Sequence, residues 1–188
     1  MDELEARARA ALDGAHGADP GAPGRPTEAE YADRLEAWVA RLVKRPSLPL
    51  RLAARAQHLE RWVLPRGDFP EGRGGYLRWR SAVHARQADR ARGLIEGAGG
   101  DAILAGRVAE LVGKKAPRAD PDAQALEDAA CLVFLETELA AFQRQHERPK
   151  VIDVVRKTWT KMSPAAQDAA RRLAVPPEVA ALVGEALG

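Results

Sequence analysis

The amino-acid sequence predicts an all-α fold, a single-domain helical bundle, and three observations carry that expectation. The chain is dominated by Ala, Leu, Arg and Glu, which enter helices at little cost, and only 5% of it is aromatic, against the aromatic and β-branched richness of sheets. Its 188 residues, 46% hydrophobic and 30% charged, suffice for one core and are short for two. Between Gly and Pro punctuation, apolar residues recur at three- and four-residue spacing.

Residues 2–12 read as a short helix and the Gly/Pro-rich stretch Gly14–Pro26 as a loop, so residues 1–26 form an N-terminal helix and loop ahead of a helical domain over 27–188. Thr27 and Glu30 have the spacing of a capping box, and Tyr31, Leu35, Trp38, Val39 and Leu42 mark the buried stripe of the next helix, up to Pro46 and Pro49. A third helix is predicted from Leu50 to Val63, with Leu52, Ala56, Leu59 and Val63 inward and Pro65 as its stop. Residues 65–75, with two Pro and four Gly, demand a shaped turn rich in backbone N–H groups. A long helix over Tyr76–Glu96 follows, then the Gly99-Gly100 pair, a helix ending near Gly113, and a link through Lys114, Lys115 and Pro117. The helix from Pro121 to about Phe142 is the most apolar and should be central; Val151–Met162 and short helices opened by Ser163-Pro164 and Pro176-Pro177 complete the chain.

Several function classes fall away. No apolar stretch approaches the roughly 20 residues of a membrane span, and the N-terminus is acidic where a secretory signal is basic, which predicts a cytoplasmic protein. The single cysteine, Cys131, allows no internal disulfide and lies in the apolar run 129–135, where it reads as core. There is no phosphate-binding loop, dinucleotide fingerprint, HExxH or GxSxG.

What remains is polar residues scattered on helices. His58 lies in a segment otherwise fit for burial, His84 in the next helix, and Glu127-Asp128 opens the most buried one. Carboxylates entering so apolar a helix need a partner: an arginine, a histidine or a metal ion. Arg61, Trp62, Arg66, Arg73, Tyr76, Arg78, Trp79 and Arg80 form a cationic and aromatic cluster suited to phosphate, nucleotide or RNA, and Arg156, Lys157, Trp159 and Lys161 repeat the theme, with Lys157 and Lys161 on one helix face. Residues 51–92 carry ten Arg against four acids and residues 119–147 seven acids against one Arg, net charges of +6 and −6. This asymmetry reads either as attraction between packed helices or as a cleft with one cationic and one acidic wall.

The segments QHLERWVLPR (57–66), GYLRWR (75–80), LEDAACLVFLE (126–136) and RKTWTKMS (156–163) resemble the domain of unknown function 4202 family, a family without an assigned reaction. More distantly, the order of elements is similar to the HD-domain metal-dependent phosphohydrolases, which implies an HD-domain-like helical core and a metal held by a His, a His-Asp doublet and a late Asp. On that resemblance His58 stands at the doublet histidine, Asp128 at the late Asp and His84 at a further histidine, while Tyr31 replaces the first histidine and Leu59 the doublet's Asp.

The functional expectation is an HD-like protein that binds a phosphorylated small molecule or nucleotide. Arg61, Arg66, Arg73, Arg78, Arg80, Lys157 and Lys161 would hold the substrate. If it is a metal-dependent phosphohydrolase, a divalent ion (Mn, Co, Ni, Fe, Zn or Mg) at His58, His84 and Asp128 would activate water, with Glu127 and Asp128 as the catalytic carboxylates and Glu127 as base. The alternative is a degenerate HD fold kept as a non-catalytic module for a nucleotide, RNA or protein partner.

Overall fold

A computed structural model describes residues 2–21 and 26–188, and among these residues the chain forms ten α-helices and no strand. Helix α1 spans Glu3–His16, capped by Asp2, and runs past Gly14, four residues beyond the predicted end. Its Ala8, Leu12 and Ala15 join the same core as the other helices. The predicted loop therefore shortens from its N-terminal side, and residues 22–25 of it lie outside the described residues. The capping box forms as spaced: Thr27 Oγ1 accepts from the Glu30 amide at 3.2 Å and Glu30 accepts from the Thr27 amide at 2.7 Å, opening α2 (Glu28–Leu42).

The third helix departs most from expectation. α3 spans Leu48–Arg55 and stops there, eight residues short of Val63, because His58 and Glu60 take positive φ of 60° and 50°. The left-handed region costs an L-residue about 1–2 kcal/mol, and here it tips Leu59 into the core, where it is fully buried. Glu60 then pairs with Arg86 at 2.9 Å and Arg90 at 2.7 Å, both on the long helix α4 (Gly72–Gly97). Short 3-10 turns at 61–63 and 66–68 carry the chain onward. Trp79 Nε1 donates to the Leu64 carbonyl at 2.8 Å, and a Cβ on Gly75 would lie 1.6 Å from the Pro70 oxygen. Only glycine lets the 65–71 turn lie that close against α4.

Helix α5 (Ala102–Val112) folds back along α4 after the Gly99 turn. Helix α6 (Pro121–Val133) is central as predicted, packed against α2, α3, and the later helices α8 (Arg148–Lys161) and α9 (Pro164–Ala170). It does not run smoothly to Phe142: residues Phe134–Glu138 form a π-helical turn before α7 (Leu139–Gln145). Thr137 Oγ1 donates to the Val133 carbonyl at 2.8 Å there, a side-chain bond that competes with the regular helix ladder. Helix α10 (Pro177–Leu187) closes the bundle against α8. Among the described residues no helix is long and apolar enough to cross a membrane.

Asp128 is a joint of this fold. It is 4% exposed on α6, and its carboxylate accepts from the Ser163 amide at 2.7 Å, the Ser163 hydroxyl at 2.6 Å and Gln124 Nε2 at 2.9 Å, fixing the start of α9. Replacing it strands both Ser163 donors, while Gln124 Nε2 keeps the Lys161 carbonyl at 2.9 Å. Asp128→Ala should lower unfolding free energy by about 3 kcal/mol in a urea titration, with Asp128→Asn losing less and added chelator changing neither curve. A wild-type curve that weakens with chelator, beside an Asp128→Ala curve that does not, would instead place a metal at Asp128.

Candidate functional site

The π-turn of α6–α7, the left-handed turn after α3 and the first half of α4 enclose a cavity of about 290 Å³. Of the residues given substrate, metal or catalytic roles from sequence, six line it: His58, Arg61, Arg80, His84, Glu127 and Lys161. Trp79, Tyr76 and Phe134 supply its aromatic wall. Asp128 is not among the lining residues, because Ser163 and Gln124 take its oxygens. Arg66 turns back to the Phe69 and Pro70 carbonyls at 2.9 and 3.0 Å, shaping its own loop. Arg73 and Arg78 are exposed on α4, and Lys157 pairs with Asp153 on the surface of α8. None of these four lines the cavity.

His58 is clamped from three sides. Its ring stacks on Tyr31 with centroids 3.8 Å apart and planes 10° from parallel. Nδ1 lies 3.2 Å from Glu28 Oε2, and Arg61 Nη1 lies 2.8 Å from Nε2. Since the guanidinium can only donate, Nε2 accepts and Nδ1 carries the proton to Glu28. Burial pushes the ring's pKa down to about 4 against the pull of Glu28, so it is neutral at pH 7. His84 is also held down to about 4, by burial and then by Arg80, Lys114 and its other cationic neighbours. No hydrogen bond joins it to a described residue.

Glu127 bridges two lysines, Lys114 Nζ at 3.1 Å and Lys161 Nζ at 3.3 Å. Burial alone would raise its pKa, but the two ammonium groups outweigh burial and hold it at about 2. A carboxylate so firmly ionised is a poor general base near neutrality. Cys131 lines the cavity as a protonated thiol, pushed up to about 12 by burial. Arg61 also lies over the Trp79 ring at 5.2 Å, and Arg80 has no ion-pair partner among the described residues.

The opposed charges of the two segments do not cancel by pairing. Among the described residues no ion pair joins 51–92 to 119–147: Arg51 pairs with Glu5, Arg55 with Asp13, Asp33 and Glu36, and Arg86 and Arg90 with Glu60. On the acidic side Asp120 and Asp122 pair with Arg107, and Glu136 accepts from Trp38 at 2.9 Å. The cavity keeps four cations, Arg61, Arg80, Lys114 and Lys161, against the carboxylates Glu127 and Glu138.

Sequence reasoning missed Lys114, Gln57 and Gln87. Lys114 sits in the link after α5 with φ 56°, where it reads as linker. Gln87 had a visible signal. It falls on the four-residue series Gly75, Trp79, Val83, Gln87, Ala91 and Ile95, the buried stripe of α4, as that stripe's polar member.

A family model described as a domain of unknown function (DUF4202) matches residues 6–183, and the chain belongs to that family. No curated protein and no solved structure matches it.

The depressed histidines predict acid sensitivity. An unfolded histidine titrates near 6.5 and these two near 4, so between those values the unfolded chain binds more protons and stability is lost as the pH is lowered. Stability is full above pH 6.5 and should drop by about 1–2 kcal/mol per histidine by pH 4, after allowance for partial exposure. Urea midpoints across that window read the effect, and His84→Gln should flatten the His84 share; an unchanged slope would mean the ring titrates normally.

Proposed function

We propose that the protein binds a phosphorylated small molecule, nucleotides included, in this cavity. One observation carries the reading: four cations converge on a half-open cavity where two carboxylates and two neutral imidazoles leave positive charge uncompensated. Arg61 and Arg80 supply forked donors to phosphate oxygens, and Lys114 and Lys161 supply point charges. In a partly enclosed site each contact is worth more than in water. His84 adds a neutral ring that donates or accepts according to tautomer.

The same residues suit a divalent cation poorly. Both nitrogens of His58 are engaged by Glu28 and Arg61, Asp128 is engaged by Ser163 and Gln124, and Glu127 lies between two ammonium groups. Among the described residues no group of three or more His, Cys, Asp or Glu is arranged to hold a metal ion. A cation placed among four others would also be repelled. Anion binding therefore fits the donor set better than metal-dependent phosphohydrolysis, and the HD-like likeness stands only on the order of elements and the sequence positions of His58, His84 and Asp128.

Calorimetric titration tests the proposal with inorganic phosphate and a nucleotide panel, each with and without chelator. Binding should survive chelator and weaken with salt, and Arg80→Ala or Lys114→Ala should each cost about 1 kcal/mol, roughly fivefold in Kd. Absence of binding at millimolar ligand would sink the proposal. A metal found in the purified protein, with phosphate release under Mn, Co, Ni or Mg, would replace it by the hydrolase reading.

A further inference from the structure

Within the cavity Gln87 is a nearly fully buried polar side chain whose amide nitrogen has no partner among the described residues. Gln87 is 4% exposed, lines the cavity, and makes no hydrogen bond with a described residue; its Nε2 is fully enclosed. The neighbouring Gln57, 7% exposed, spends its Nε2 on the Ala53 carbonyl at 3.2 Å. An enclosed amide without a partner is destabilising, and an apolar residue at this place on the stripe would stabilise the bundle more. Such a group is explained when something outside the fold completes it.

We infer that Gln87 reads the uncharged end of the ligand, and that this end carries an amide-like edge on a flat, weakly polar ring. The inference rests on the proposed phosphate site and deepens it. A carboxamide offers one donor and one acceptor side by side, the complement of the N–H/C=O or amino/ring-nitrogen edge of a nucleobase. Val83, Ala130, Cys131 and Phe134 line the same cavity, surfaces that a flat ring can cover, while Trp79 lies beside Arg80 at the other end of this stretch of α4. A sugar placed there would bring several hydroxyls into a wall that satisfies few of them. Arg80 lies seven residues from Gln87 on α4, which at about 1.5 Å per residue separates the two by about 10 Å along the helix. The ligand class is a phosphate monoester with a heterocycle at its far end, anchored by its phosphate near Arg80 and read at its edge by Gln87.

The test titrates the full chain with inorganic phosphate, ribose 5-phosphate and the four nucleoside monophosphates, then repeats the series with Gln87→Met. At least one nucleoside monophosphate should bind tenfold or more tighter than ribose 5-phosphate. Gln87→Met should erase that advantage, leave inorganic phosphate and ribose 5-phosphate within twofold, and melt no lower than the parent. The inference fails if ribose 5-phosphate binds the parent as tightly as every nucleotide, a comparison that needs no variant. It also fails if Gln87→Met weakens inorganic phosphate as much as the nucleotide, or lowers the melting temperature, since either result gives Gln87 a role in the fold. If the parent binds none of these, inorganic phosphate included, the anion site itself is absent and the inference falls with it.

Discussion

Everything at the cavity depends on the chain leaving α3 through a left-handed turn. Two non-glycine residues with positive φ, His58 and Glu60, cost together about 2–4 kcal/mol. The offset is visible on the residues between and beside them. Leu59 is fully buried, worth about 2–3 kcal/mol, and Glu60 reaches two arginines of α4, pairs that add little because those arginines are about two-fifths exposed. A continuous helix would carry His58 and Arg61 along α3's own axis. The turn instead hangs both over the space between α4 and α6, against Tyr31.

This constraint also explains what could be read from sequence. The capping box at Thr27, the proline starts of α6, α9 and α10, and the Gly99-Gly100 break are local devices whose chemistry is complete within a few residues, and each appears where its residues imply. The turn at 56–60 has no such device. It contains neither Gly nor Pro, its apolar residues keep helical spacing, and its stabilising partners lie on α4, 26 and 30 residues away. Histidine visits the left-handed region more readily than most residues, but that is too weak a signal to stop a helix.

The site divides along the same line. His58, His84 and Glu127 attracted notice as polar residues in apolar surroundings, and all three line the cavity. Asp128 drew notice for the same reason, yet the reason is satisfied differently: its burial is repaid by Ser163 and Gln124 within the fold. Adjacent residues on one helix are about 100° apart, so Glu127 and Asp128 cannot serve one pocket equally. The arginines separate likewise. Arg61 and Arg80 point where the turn and α4 converge, while Arg73 and Arg78 stay on the outer face. Residue type shows that an arginine can hold phosphate; only the three-dimensional path shows which one is offered.

The two histidines show how the proposed anion would fare in this cavity against a cation. Burial is the first cause of their depressed pKa values; Arg61 and Lys114 at both rings, and Arg80 at His84, add to it, while Glu28 opposes it at His58. A divalent cation would meet the same burial and the same cations, with twice the charge and without the easy removal that a proton has. A phosphate dianion would instead be drawn to Arg61, Arg80, Lys114 and Lys161, and it would lift the pKa of His84 by offsetting the cationic share of its depression, leaving the share due to burial. On the proposed reading, anion binding and proton uptake at His84 would be coupled. The cations that add to His84's acid sensitivity are the ones that would hold the ligand.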